Sequence, residues 1–303
     1  MIDDHLTQWF DRPVEAYQPG ANYGTVIQRF GFSYDDESFN PAVLETYLAD
    51  PRTGSIKALV FGMPGDAGES FDEIIRVLVE NAPRLTALRG LFLGDILQEE
   101  NEMSWIEQGD VGQLLAAFPN LEELRVRGGS HLVLNPSAHT GLLRLTIETG
   151  GMPVEVLRNI ASSSFPNLEH LELWLGTDEY GWTGSLEDVL PLLEVGRFPK
   201  LKTLGLRNSE IADGIAKAVA NAPVLDQLES LDLSLGTMTD VGAEFLIASE
   251  RVRRLAKLNL HRNYLTAATI PRLNGLGPAV DTGGQEAPYE YSGESHYYVA
   301  VGE

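Results

Sequence analysis

The carboxylates and histidines are the first residues to weigh for acid–base chemistry, and cysteine is absent. Without a thiol, thiolate nucleophiles, Cys-ligated zinc and iron–sulfur clusters are excluded. The six histidines, His5, His131, His139, His170, His261 and His296, fall into no H-E-x-x-H or H-x-H spacing, so no two are set to grip a metal from one helix or strand. No G-x-S-x-G nucleophile turn and no phosphate-binding or dinucleotide-binding glycine loop is present. The acid run from Glu99 to Glu107 lacks the D-x-[DN]-x-[DN]-G spacing of a calcium loop and reads as a solvated loop.

One carboxylate pair remains. Glu148 ends "LLRLTIE" and Glu172 lies in "LEHLELW"; on adjacent strands they would approach as the two acids of a glycosidase must. Arg125, Arg127 and Arg144 stand beside them in the expected sheet, which favours neutralised surface acids. A hydrolytic or carbohydrate-acting enzyme using Glu148 and Glu172 is therefore the alternative reading. No catalytic residue, cofactor or metal ligand is assigned.

The elements that position these residues repeat. "FPNLEELRVRGG" at 118–129 returns as "FPNLEHLELWLG" at 165–176 and "FPKLKTLGLRNS" at 198–209. Anchored on the middle leucine of L-x-x-L-x-L, copies centre on Leu59, Leu91, Leu124, Leu145, Leu171, Leu204, Leu231 and Leu258, with a weaker copy, "IQRFGFS", at Phe30. Their spacing runs from 21 to 33 residues, and self-similarity at such a period marks a solenoid. Within each copy, alternate residues point to opposite faces of a strand, so Leu124 and Val126 enter the core while Glu123, Arg125 and Arg127 point out.

Between the strands lie helix signals. Ser70 with Glu73 and Ser185 with Asp188 predict capping boxes; Asn40–Pro41 opens a helix carrying Val43, Leu44, Tyr47 and Leu48; "TDVGAEFLIAS" at 239–249 fills the same place later. The 21-residue step from Leu124 to Leu145 has no room for a full helix and predicts an irregular unit. Neither strand nor helix can bury its apolar face without the next unit, so the units must stack. Strands lie about 4.8 Å apart and helices are wider, so the stack is expected to curve. The expected fold is α/β: a horseshoe solenoid of about nine strands, with the parallel sheet on the concave face and helices on the convex face.

The pattern L-x-x-L-x-L-x-x-N-x-L followed by a helix opening "TD-x-G-A" resembles the ribonuclease-inhibitor-like type of leucine-rich-repeat protein. "LAKLNLHRNYLTAATIPRL" at 255–273 carries it most fully, with Asn263 at the asparagine position; Gly129, Gly150, Gly176, Ser209 and Gly236 replace that asparagine elsewhere. The resemblance covers roughly residues 26 to 275. With "SWIEQGD" at 104–110, "LGLRNSEIAD" at 204–213 and the ending "YVAVGE", the chain is also similar to bacterial cytoplasmic leucine-rich-repeat proteins without an assigned reaction. The resemblance implies a non-enzymatic protein-binding module or scaffold, or an inhibitor of a partner enzyme.

The letters between the leucines supply the candidate surface. Arg125, Arg127, Arg144, Trp174 and Arg207, flanked by His170, Glu172, Asp232 and His261, lie on outward positions of the central strands. Arginine and tryptophan are frequent interface anchors, and a guanidinium fork fits carboxylates, so an acidic protein or peptide is the expected partner. The competing reading is a solvated ladder in which these arginines pair with Glu123, Glu148 and Glu172 across strands. The earlier copies present Ala58, Val60, Gly62, Gly90, Phe92 and Gly94, an apolar end. Two insertions, 94–110 and 176–185, add Trp105, Tyr180 and Trp182 as loop candidates, either exposed to a partner or pinning each loop to its own unit.

Composition limits the partners. The 303 residues carry 44 acids against 22 bases, a formal charge of −22, which repels nucleic acid and an anionic membrane surface alike. No basic n-region followed by an apolar run opens the chain and no stretch approaches a membrane span; a cytoplasmic monomer is expected. A solenoid must also cover its ends. Residues 1–25, with Leu6, Trp9, Phe10, Val14 and Tyr17, are expected to cap the first unit, and 276–303 to form a capping tail. In that tail alternating Tyr297, Val299 and Val301 read either as a cover on the last repeat or as a strand a partner could capture.

Overall fold

The computed structural model describes residues 4–20, 23–32, 41–66 and 68–302. Every leucine copy forms a strand, because its alternating apolar residues need a single buried face. The strands are β1 (Gln8–Trp9), β2 (Arg12–Ala16), β3 (Ile27–Phe30), β4 (Ala58–Phe61), β5 (Gly90–Leu93), β6 (Glu123–Arg127), β7 (Arg144–Glu148), β8 (His170–Gly176), β9 (Thr203–Ser209), β10 (Ser230–Asp232), β11 (Lys257–Asn259) and β12 (Ala279–Asp281). They lie side by side in chain order in one twelve-stranded sheet. Only the β1–β2 pair within it is antiparallel; the successive pairs from β2 to β12 are parallel.

About nine strands were expected, and among the described residues the sheet has twelve. The nine repeat copies correspond to β3–β11, and the chain ends add β1, β2 and β12, since a parallel sheet edge left open exposes unpaired backbone groups.

Register confirms the repeat alignment from the second copy on. Leu59, Leu91, Leu124, Leu145, Leu171, Leu204, Leu231 and Leu258 pair in one continuous row. The first copy is displaced: Phe30 pairs with Phe61, and Gln28 occupies the anchor position opposite Leu59. A two-residue shift keeps every side chain on its face, which is why the weak copy still buries Phe30.

Among the described residues, eight helices connect the strands: α1 (Pro41–Leu48), α2 (Asp72–Asn81), α3 (Gly112–Ala117), α4 (Val154–Ser162), α5 (Leu186–Val189), α6 (Ala212–Asn221), α7 (Asp240–Ala248) and α8 (Ile270–Asn274). Leu44, Leu48, Ile74, Leu78, Leu157, Ile160, Ile215, Val219 and Leu246 from these helices share one core with the leucine row of the sheet. Each fully buried aliphatic side chain of this kind contributes about 1.5–3 kcal/mol.

Helix starts follow the expected chemistry in part. The Ser185–Asp188 capping box forms, and Thr239 caps α7 by accepting from the Val241 amide. Ser70 instead bonds the amide and carboxylate of Asp72, while Glu73 turns outward to Arg76, so no Ser70–Glu73 box forms. Asn40, the expected start of α1, lies outside the described residues. As the short repeat requires, no helix lies between β6 and β7; isolated bridges tie that segment to its neighbours instead.

Candidate binding face

One face of the sheet carries the helices; the other presents the residues between the leucines. At its first strands the chain's own N-terminus covers this open face. Trp9, Ile27, Ala58, Val60 and Phe92 form a separate apolar cluster against Leu6, Phe10 and Val14. A Cβ on Gly90 would stand 2.4 Å from Phe10 and 2.9 Å from Trp9, so glycine there is what lets the segment lie flat. His5 holds the segment down, 3.5 Å from Asp95 and 3.4 Å from Glu100. The Asp95 carboxylate first, then that of Glu100, raises the His5 pKa to about 9. The N-terminal segment thus covers part of the open face.

The centre is a ladder of opposed charges. Arg127 Nε lies 2.6 Å from Glu148 Oε2 and its Nη1 donates to the Ile96 carbonyl at 2.7 Å. Arg125 reaches the other oxygen of Glu148 at 3.3 Å and lies over the Phe92 ring, 4.4 Å from its centroid. Arg144 pairs with Glu123 at 3.5 Å. One strand further, Glu172 accepts from Arg207 at 2.6 Å and from the Trp174 indole at 2.8 Å, with His170 at 3.6 Å. Arg207 also bonds Ser234 and stacks on Trp174, 4.7 Å from its ring centroid. Burial opposes the charge on Glu172, yet His170, Arg207 and Trp174 together lower its pKa to about 2.

These contacts limit the carboxylates as acids. Glu172 is held ionised by these partners, so it is not set up to deliver a proton near neutrality, and Glu148 is bound by two guanidinium groups. Among the described residues, no three His, Asp or Glu side chains converge as a metal site.

Searches of family models and of curated proteins return no match. Among solved structures, a Bacteroides fragilis protein aligns at 32% identity with a TM-score of 0.82, over 90% of this chain and 76% of that one. The chain belongs to the family of that Bacteroides fragilis protein. A Listeria monocytogenes internalin aligns at 14% identity and a TM-score of 0.31, over 79% of this chain and 76% of that one. What the family member and this chain share is the long parallel α/β sheet described above, a leucine-rich-repeat-like fold.

Within that family fold, the candidate residues divide by access. Arg144 keeps about half of its side-chain surface and His261 39%. Arg125 and Arg207 are about four-fifths covered, and Asp232, Glu172 and His170 slightly more so. Arg127, read from the sequence as outward, is buried, because residues 94–106 fold over it and supply the Ile96 carbonyl. Trp182, read as a loop residue, belongs to the main core, and Tyr180 is half-buried. Trp105 alone of these three is well exposed, its indole donating to Glu102.

Trp174 is covered by the chain's end, a partner no pattern in the sequence identified. After a hairpin of β13 (Tyr289–Tyr291) and β14 (Glu294–His296), residues 297–302 form no strand. Starting on Tyr264 of the last repeat, they run back past Leu235 after β10, Asn208 at the end of β9 and Gly150 after β7. Ala300 and Val301 pack with Met103, Trp174 and Leu235. Between this tail and the loop at 177–180 lies an open cleft of about 580 Å³, lined by Asp178, Glu179, Glu210 and tyrosines.

Proposed function

We infer that this protein is a protein-binding module of leucine-rich-repeat type, which recognises its partner through the open, concave side of a horseshoe-shaped sheet. The supporting observation is the charge ladder: buried Glu148 holds Arg125 in place, and Arg207 and Glu172 hold each other, so a partner meets a pre-ordered polar surface and little side-chain freedom is lost on contact. Exposed Lys257 and Arg144, the latter paired with Glu123, and partly exposed His261 supply accessible nitrogen groups along it, and an acidic segment is the complementary partner. Arg127 and Trp174 stiffen this surface from beneath.

Co-purification from the native host tests the reading. The wild-type chain is expected to retain a partner that an Arg144→Glu, Lys257→Glu variant loses, with both chains showing the same circular dichroism. A partner held equally by both chains overturns recognition through this face.

A further inference from the structure

The tail lies in a groove with the features of a peptide site. Its main chain is held at successive units. Tyr264 Oη donates to the Tyr298 carbonyl and accepts from the Tyr298 amide, both at 2.9 Å. The Ala300 amide donates to the Leu235 carbonyl at 2.8 Å. Asn208 brackets Val301, accepting from its amide at 3.0 Å and donating to its carbonyl, and Ser104 donates to the Gly302 carbonyl. These contacts all address backbone atoms of the tail. Side-chain selection comes from Met103, Trp174 and Leu235, which receive Ala300 and Val301.

The receiving side is built independently of the tail's sequence. Asn208, Leu235 and Arg262 follow the anchors Leu204, Leu231 and Leu258 at the same offset, and all three have left-handed backbones, with φ of 52°, 67° and 50°. Non-glycine residues in that region cost of order 1–3 kcal/mol each and concentrate where a backbone must present groups to a ligand. Asn208 is fully buried, and apart from Val301 its carboxamide bonds the Thr149 carbonyl at 3.3 Å, so it is positioned to address the main chain of whatever lies in the groove. Gly150 makes room for the tail, since a Cβ there would lie 2.1 Å from the Gly302 carbonyl oxygen. The tail reaches this groove through a hairpin whose Tyr289 and Tyr291 are exposed, a tether with little burial of its own.

We propose that this groove is a binding site for an extended peptide carrying small aliphatic residues, and that residues 297–302 are its resident ligand, displaced when such a peptide binds. Trp174 is shared with the charged surface assigned to the main partner, through Glu172 and Arg207; the backbone contacts through Tyr264, Leu235, Asn208 and Ser104 are not, so loss of tail binding and loss of the main partner can be told apart.

A fluorescein-labelled peptide of sequence 296–303 tests this on full-length protein. An Ala300→Asp, Val301→Asp chain, whose own tail cannot enter the apolar part of the groove, should bind the peptide. A tethered tail acts at about millimolar effective concentration, so the wild-type chain should bind it at least about 10-fold more weakly. The peptide bearing Val301→Asp should bind neither chain. Hydrogen exchange on the wild-type chain gives a second measurement that needs no variant: the Ala300 and Val301 amides should exchange by local opening, at least about 10-fold faster than those of β8 and β9. The proposal is overturned if a natively folded double variant does not bind the peptide, if both chains bind it equally, or if the tail amides exchange only together with the strands. A wild-type dimer that dissociates in the double variant would assign the groove to a second copy's tail and equally overturn capture of a separate peptide.

Discussion

Arg127 and Glu148, on adjacent strands and each 5% exposed, meet at 2.6 Å beneath the residues that follow β5. Both charges are out of water, so the pair's importance lies in what is left when one member goes. Glu148→Gln would strand a buried guanidinium, and breaking such a pair costs about 3–5 kcal/mol. Urea unfolding should show a loss near the lower end, because the Ile96 carbonyl still accepts from Arg127. A combined Arg127→Met, Glu148→Leu chain should recover most of it, as apolar replacements of buried pairs do. Equal stability of the single variant and wild type would refute this account.

Glu172 makes the fold sensitive to acid. Its pKa falls from 4.5 to about 2 in the folded chain, so its ionised form stabilises the protein fully above about pH 4.5. That contribution disappears as pH drops through 4.5 toward 2, and a shift of this size corresponds to at most about 3 kcal/mol. Glu172→Gln should be less stable than wild type at pH 7 and should show a shallower decline between pH 4.5 and 2. Parallel stability curves for the two chains would contradict the assignment.

His5 acts in the opposite direction. Its folded pKa of about 9 lies above the ordinary 6.5, so the charged form stabilises the docked N-terminus fully below about pH 6.5. This is lost as pH rises through 9. Proteolysis near residue 10 should accelerate above pH 9 in wild type and already at pH 7 in His5→Gln. Gly90→Val should give the same early cleavage by driving Phe10 and Trp9 off the sheet. If neither variant is cut faster at pH 7, the proposed anchoring is wrong.

Asn263 is one buried rung where other repeats have glycine or serine. It accepts from the Met238 amide and donates to the carbonyls of Leu233 and Leu260 at 3.0–3.1 Å. Asn263→Ala leaves Met238 N and Leu233 O in the core without this partner, each worth about 1–3 kcal/mol. A thermal melt should register a clear loss, whereas Ser209→Ala, at the equivalent place in β9, should cost less because its hydroxyl serves only the Ile211 amide.

The periodic leucines determined the fold directly, since eight anchors recur in one register and each unit depends on its neighbour for burial. The same alternation correctly divided Leu124 and Val126 from Arg125, and Ser185 with Asp188 marked a helix start through purely local bonds. Local reasoning failed where a distant segment intervened. Nothing around Arg127 predicts its burial, because the cover comes from Ile96 and its neighbours. Nothing around Trp182 separates a loop aromatic from a core one.

The two chain ends show the same limit. Their apolar content predicts that they must pack, but Trp9 lying against Gly90 and Val301 lying against Asn208 are contacts between residues 81 and 93 positions apart. Repetition encodes neighbour-to-neighbour stacking, whereas the paths of the ends depend on shape and hydrogen-bond complementarity, which only the assembled sheet creates.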